Sequence, residues 1–290
     1  MSEFQTSIPS YEGECSVSNK PVILVIGAGA GIGGHTAMRF AAGGYHAVLA
    51  RRSDEESLGR LIDQIESAGG SATGTLLNAA EDGAIEELVE RVETDIGPID
   101  TALYNLGAQI GNRALHDTPH RTFELGWRLG CYGVFRLAHA AFPAMVKRGK
   151  GSLLVTSATS AVRGNAGQHS HAAAMGGRRM LCQTLNAEFG PKGIHVAHIV
   201  VDGSVDAPDT LGKLLGDKWE AYKASKGDEG VINPADLAET YWHLAQQPKN
   251  CWTHEIDARP WTDVAWWNDN PNPTINSTAD KPGFSGPQTD

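Results

Sequence analysis

The chain has 290 residues, with 24 Lys and Arg against 34 Asp and Glu, for a formal net charge of −10. That excess of acid speaks against a polyanion-binding surface, so no nucleic-acid partner is expected, although a locally basic pocket for one phosphate stays compatible with it. The length suits one large α/β domain, and no break in composition divides it in two.

In chain order, residues 1–20 are polar and aperiodic and read as a flexible N-terminal arm. From Pro21, short β-branched apolar runs alternate with longer helical stretches. PVILVIG precedes a helix from Ile32, HAVLA precedes one at 55–68, and ATGTLL precedes one at 83–96. IDTALYN precedes a helix at 121–148, GSLLVTS precedes one at 170–189, and IHVAHIVV closes the series. Continuous apolar strands separated by helices indicate a parallel sheet covered on both faces. The expected fold is a single Rossmann-like, doubly wound α/β domain over 21–262. Residues 210–230 read as a helical flap, NPADLAETYWHLAQQP as a late helix opened by an Asn or Asp cap, and 252–257 as a last short strand. Residues 263–290, rich in Pro, Asn and Gly, form an irregular C-terminal tail. Trp266 and Trp267 within it are too apolar for free solvation, so docking on a pocket rim or a neighbouring subunit is expected.

Cys15, Cys131, Cys182 and Cys251 show no paired spacing, which argues for free thiols rather than a disulfide framework, zinc site or redox dithiol. The N-terminus lacks the apolar stretch of a signal peptide, and no later run approaches a membrane span. A soluble cytoplasmic protein with no membrane partner is therefore expected.

The segment IGAGAGIGGHTAM follows the first strand directly and opens a helix. Glycines allow the tight turn and close backbone approach to a pyrophosphate, and the free N–H groups at a helix start favour the anion. Gly27, Gly31, Ile32 and Gly33 are the candidate contacts. With three residues between its first two glycines, the loop resembles that of the short-chain dehydrogenase/reductase family, and the resemblance extends over about 21–261. The second strand ends at Ala50, where an NAD-preferring member would place an acid for the ribose hydroxyls. Arg51 and Arg52 follow instead, and a guanidinium suits a 2′-phosphate through charge-assisted, forked hydrogen bonds. The expected cofactor is therefore NADP(H). The resemblance further places Asn78 beside the adenine, Asn105 and Gly107 of LYNLGA along the cofactor, and Gly203 and Val205 of DGSVDAP near the nicotinamide.

The resemblance also implies a catalytic tyrosine, lysine, serine and asparagine. Register set by Gly164, Gly167 and the alanines at 172–174 puts the tyrosine position on His171 and the lysine position on Met175. The serine position falls on Ala158, between Ser157 and Thr159, and the asparagine position on Gly130. No Tyr-x-x-x-Lys occurs between Gly151 and Gly190.

Three readings stay open at this point. His171 replaces the tyrosine as general acid, since imidazole donates protons near neutrality, with Ser157 or Thr159 orienting a small-molecule substrate. Alternatively, the nucleotide is structural and the pocket, with His169, Ser170 and His171, runs a redox-neutral isomerisation, elimination or cyclisation. In the third, the protein is a silent nucleotide binder. The His-Ser-His triplet has no third or fourth ligand nearby, so no metal is expected. Arg178, one turn beyond Met175 on the same face, is positioned to bring positive charge toward the site. Family members assemble through the 121–148 and 170–189 helices, which implies a homodimer or homotetramer.

Overall fold

The computed structural model describes residues 20–107 and 111–268. The expected arm, apart from Lys20, and the tail beyond residue 268 lie outside the described residues, as does Cys15. Seven strands stand in the order β3-β2-β1-β4-β5-β6-β7. They are β1 (Val22–Ile26), β2 (His46–Arg51), β3 (Ser71–Leu76), β4 (Ile99–Tyr104), β5 (Gly151–Ala158), β6 (Ile194–Val201) and β7 (Glu255–Ala258). Every neighbouring pair is parallel. The helices are α1 (Ile32–Ala42), α2 (Glu55–Ser67), α3 (Ala84–Arg91), α4 (His120–Trp127), α5 (Gly133–Arg148), α6 (His169–Phe189), α7 (Lys213–Leu215), α8 (Trp219–Lys226) and α9 (Pro234–Ala245).

The central strand explains the layering. All five residues of β1 are buried, and their alternation sends Val22, Leu24 and Ile26 into a core beneath α3 and α5. Ile23 and Val25 enter the core beneath α1, α2 and α9. Each such fully buried aliphatic side chain contributes roughly 1.5–3 kcal/mol relative to exposure. A strand covered on both faces must be apolar throughout, which is the pattern read from PVILVIG. Chain order reverses between β1 and β4, and a crevice outside the carboxyl ends of these strands follows from that reversal.

The expected 121–148 helix is divided. A π-helical turn at Arg128–Tyr132 separates α4 from α5. It forms because groups from elsewhere claim its carbonyls: the Tyr104 hydroxyl donates to the Leu129 oxygen at 2.6 Å, and Arg178 Nε donates to that of Gly130. Gly133 is required just after the turn, since a Cβ there would overlap the Tyr104 hydroxyl. Burial pushes the Tyr104 phenol up to about 12, so it donates as a neutral O–H. The span His120–Arg148 is also long and apolar enough to cross a membrane by length and composition, which corrects the expectation that no run approaches a membrane span. Its apolar residues Val134, Leu137, Ala141, Phe142 and Met145 are buried in the core, so it is a core helix.

The 210–230 flap resolves into a helical turn at Pro208–Gly212, the short α7, and α8. The cap expected for the late helix is present: Asn233 Oδ1 accepts from the Ala235 amide at 2.9 Å, with Pro234 at the first helical position.

Candidate functional site

The glycine loop joins β1 to α1 at the crevice. Gly27 has φ +101°, a conformation natural to glycine. Its amide and that of Ala28 donate to the Ala50 carbonyl at 2.8 and 3.0 Å, tying the loop to β2. A Cβ on Gly33 would overlap the Gly27 carbonyl, and one on Gly31 would lie 2.8 Å from the Ala207 methyl. The N-cap Gly31 offers no side chain to cap α1, and the first turn of the helix holds no acid. This arrangement suits a pyrophosphate.

At the end of β2, Arg51 stands beside Asp54, 3.5 Å between Nη2 and Oδ2. Asp54 adopts φ 71° and caps α2 by accepting from the Ser57 amide at 3.0 Å. The Ser57 hydroxyl first, and then this amide hydrogen bond, hold its carboxyl below the usual range. Arg52 is exposed. Two arginines thus follow β2 at the start of an acid-capped helix. Asn78 is engaged locally, Nδ2 donating to Glu81 at 2.9 Å and Oδ1 accepting from the Ala80 amide at 3.3 Å.

Asn105 acts as a bridge. Its Nδ2 donates to the Gly27 carbonyl at 3.0 Å, and its Oδ1 accepts from the Thr156 hydroxyl at 2.7 Å. The glycine loop is thereby fastened to β4 and β5. Gly107 is exposed just beyond.

On α6, His171 is half-buried in the first turn, one helical turn before the buried Met175. With His169 and Ser170 it lines a small cavity that Gly111, Arg113, Thr118, Thr122, Gly167 and Gln168 complete. The Ser170 hydroxyl is turned away, donating to the Phe123 carbonyl at 3.0 Å. Ser157 is 5% exposed with its hydroxyl 3.9 Å from the Met175 sulfur, so it faces the helix rather than the crevice. Thr159, two residues on and past the strand end, is half-buried. Of the four candidates for catalysis, the fold thus brings His169 and His171 to one cavity, leaves Thr159 half-buried in the turn after β5, and turns Ser157 inward.

Arg178 corrects an expectation. It does not point at the site but is 1% exposed, beneath it. Its guanidinium donates to the carbonyls of Gly130 and Thr156 and, at 2.7 Å, to that of Leu106. It also lies 5.3 Å from the centre of the Tyr104 ring. Desolvation works against the charged form and lowers its pKa. The signal was present in the sequence: Met175, Arg178, Cys182 and Leu185 form one helical stripe whose other members are apolar. A charge in that stripe has to be buried.

After β6, Asp202 and the tail were also missed as partners. The Trp266 amide donates to Asp202 Oδ2 at 3.0 Å, and Arg259 reaches the same oxygen at 3.3 Å. The Trp266 indole N–H lies 3.2 and 3.3 Å from the two carboxylate oxygens of Asp257, and the Arg259 guanidinium lies 4.5 Å from the centre of the Trp267 ring. A Lys226–Asp263 pair at 2.7 Å secures the approach. The tail segment is therefore docked across the ends of β6 and β7, beside Gly203, whose added Cβ would lie 2.5 Å from the Pro260 ring. Val205 makes a bridge to Ile232, joining the two ends of the segment that carries the flap. Ending the chain at Asp263 should alter turnover or sedimentation; if both stay unchanged, the tail is a passive appendage.

A family model described as short chain dehydrogenase matches residues 21–214, and the chain belongs to that family. It is 29% identical over 248 residues to the short-chain reductase protein NovJ of Streptomyces niveus, covering 83% of this chain and 93% of the relative. It is also 29% identical over 236 residues to the 3-oxoacyl-[acyl-carrier-protein] reductase FabG of Thermotoga maritima, covering 81% and 94%. Among solved structures, a short-chain dehydrogenase from Rhodopseudomonas palustris aligns with a TM-score of 0.70 at 31% identity, over 83% of this chain and 99% of the other. A metagenomic short-chain oxidoreductase in complex with NADP shares the fold, with a TM-score of 0.69 at 24% identity over 83% and 97%. The family is one of oxidoreductases.

Proposed function

We propose that the chain is an NADP(H)-dependent oxidoreductase that interconverts a carbonyl and an alcohol, with His171 as general acid in place of tyrosine. The observation that carries this reading is His171 in the first turn of α6, half-buried at a cavity it shares with His169. Gly27, Gly31, Ile32 and Gly33 would hold the pyrophosphate, Arg51 and Arg52 the 2′-phosphate, and Asn105, Gly107, Gly203 and Val205 the crevice beyond. Asn78 would stand at the adenine end. NADPH, when bound, supplies the hydride. The imidazolium of His171 gives its proton to the carbonyl oxygen as the carbon is reduced, and solvent reprotonates the imidazole. Thr159 orients the substrate oxygen. Ser157, facing Met175, serves packing, and His169 is the second candidate donor.

Pure protein incubated with NADPH and a panel of aldehydes and ketones tests the reading. Loss of reduced nicotinamide matched by alcohol formation supports it. Substrate conversion without nicotinamide consumption replaces it with a redox-neutral reaction, and binding alone with a silent binder. Phosphate recognition has its own test. A hydrogen bond to a charged group contributes about 1.5–3 kcal/mol, so Arg51→Ala should weaken NADP roughly tenfold to a hundredfold and leave NAD nearly unaffected. Equal weakening of both nucleotides in calorimetry removes the assignment.

Assembly belongs to the same reading. Phe123, Trp127, Tyr132 and Phe135 on the α4–α5 span and Met180 on α6 are exposed apolar residues, and a homodimer or homotetramer through these helices would cover them. Sedimentation of the full chain reads this directly.

A further inference from the structure

A buried guanidinium with three carbonyl acceptors and no carboxylate partner among the described residues is an uncommon arrangement. Taking such a charge out of water is costly, and an apolar side chain would fit a stripe whose neighbours are Met175 and Cys182. What Arg178 holds together is therefore informative. Its three acceptors belong to three separate pieces of backbone: Leu106 just past β4, Thr156 within β5, and Gly130 in the π-turn. Its Cα belongs to α6, the helix that carries His171 two turns earlier.

The connection continues toward the glycine loop. Thr156, whose carbonyl Arg178 binds, donates its hydroxyl to Asn105 Oδ1 at 2.7 Å or shares it with the Tyr241 hydroxyl at 2.8 Å. Asn105 in turn donates to the Gly27 carbonyl at 3.0 Å. That carbonyl also accepts from the Gly29 amide at 3.1 Å, and the Gly29 carbonyl accepts from Gly34 at 2.9 Å. One unbroken series of hydrogen bonds and shared residues thus runs from α6 through Arg178, Thr156 and Asn105 to the turn of the glycine loop.

We propose that Arg178 is a positioning residue: through Thr156 and Asn105 it fixes the glycine loop relative to α6 and the π-turn, so that nucleotide binding depends on a side chain that cannot itself touch the nucleotide. A guanidinium suits this task because its planar, rigid set of donors serves several carbonyls at once, whereas an ammonium acts as a point charge. The proposal rests on the nucleotide-binding part of the function given above, but not on His171 being the acid.

The experiment compares full-length wild type with Arg178→Lys, Thr156→Val and Tyr241→Phe in three measurements: NADPH affinity by calorimetry, thermal midpoint, and amide exchange at Gly29 and Gly34 without nucleotide. Thr156→Val keeps the shape but removes the hydroxyl that joins Arg178's acceptor to Asn105. It should weaken NADPH about fivefold to tenfold, the scale of one hydrogen bond. Exchange at Gly29 should quicken by a similar factor, with a thermal midpoint close to that of Tyr241→Phe. Tyr241→Phe spares the Thr156–Asn105 bond and should bind NADPH as wild type does. Arg178→Lys should weaken binding at least as much as Thr156→Val. If Arg178→Lys does not fold, Thr156→Val and the exchange measurement still decide. Wild-type affinity and wild-type exchange in Thr156→Val overturn the proposal. A wild-type protein that binds no NADPH instead overturns the nucleotide reading, and Gly29 exchange then reports whether the connection to the loop exists.

Discussion

His171→Phe is expected to lower NADPH-dependent carbonyl reduction by about 10²-fold or more while leaving NADPH affinity nearly intact, the usual scale for loss of a general acid. Phenylalanine keeps the ring volume and removes both nitrogens, so the helix start and its cavity are preserved while the donor is lost. The affinity is spared because the glycine loop is held by Ala50 and Asn105, neither of which involves His171. Met175→Lys alone should not raise turnover. It places an ammonium in a buried site against Ser157 and Ala174, with no phenol to tune. Full turnover in His171→Phe would assign the histidine to packing and move the search to His169.

The second large effect is on stability in acid. His198 on β6 is fully buried, its Nδ1 3.0 Å from Glu255 Oε2 on β7. Burial drives its pKa down to about 4, and the Glu255 carboxylate recovers only part of that loss. In the unfolded chain an imidazole titrates near 6.5. Between those values the unfolded chain takes up a proton that the folded one refuses, so stability is complete above about pH 6.5 and falls as pH drops toward 4. The slope is about 1.4 kcal/mol per pH unit, for a total of about 3 kcal/mol. His195, whose pKa burial also lowers, adds to the same trend. Denaturant unfolding at pH 7.5 and pH 5 should show this loss in wild type and a shallower one in His198→Leu. The substitution leaves Glu255 its two bonds to Arg179 at 2.7 Å. Equal pH slopes in the two proteins would locate the acid sensitivity elsewhere.

The glycine turn and the sheet were legible because their causes are local. Gly27 needs φ +101° and Gly33 must lack a Cβ against the Gly27 carbonyl, so the spacing of glycines encodes the loop itself. A strand buried on both faces has to be apolar at every position, which is why PVILVIG read as a strand of a covered parallel sheet. The absence of a Tyr-x-x-x-Lys between Gly151 and Gly190 is likewise a property of the sequence alone, while Tyr222 and Lys226 carry that spacing on α8. Other features depend on which distant groups meet. The π-turn at Arg128–Tyr132 interrupts a stretch that reads as one helix, because Tyr104 and Arg178 bind the carbonyls of Leu129 and Gly130. Ser157 and Thr159 are equivalent neighbours of the serine position in the sequence, but strand alternation turns the first toward Met175 and the end of β5 leaves the second in the turn that follows. Arg178 lies on the face that the sequence assigned to it, and only the packed core decides that its charge is spent on three backbone carbonyls. Periodicity and backbone sterics act within a few residues and are written in the chain; the partners of a buried polar group are set by long-range packing, which no local pattern records.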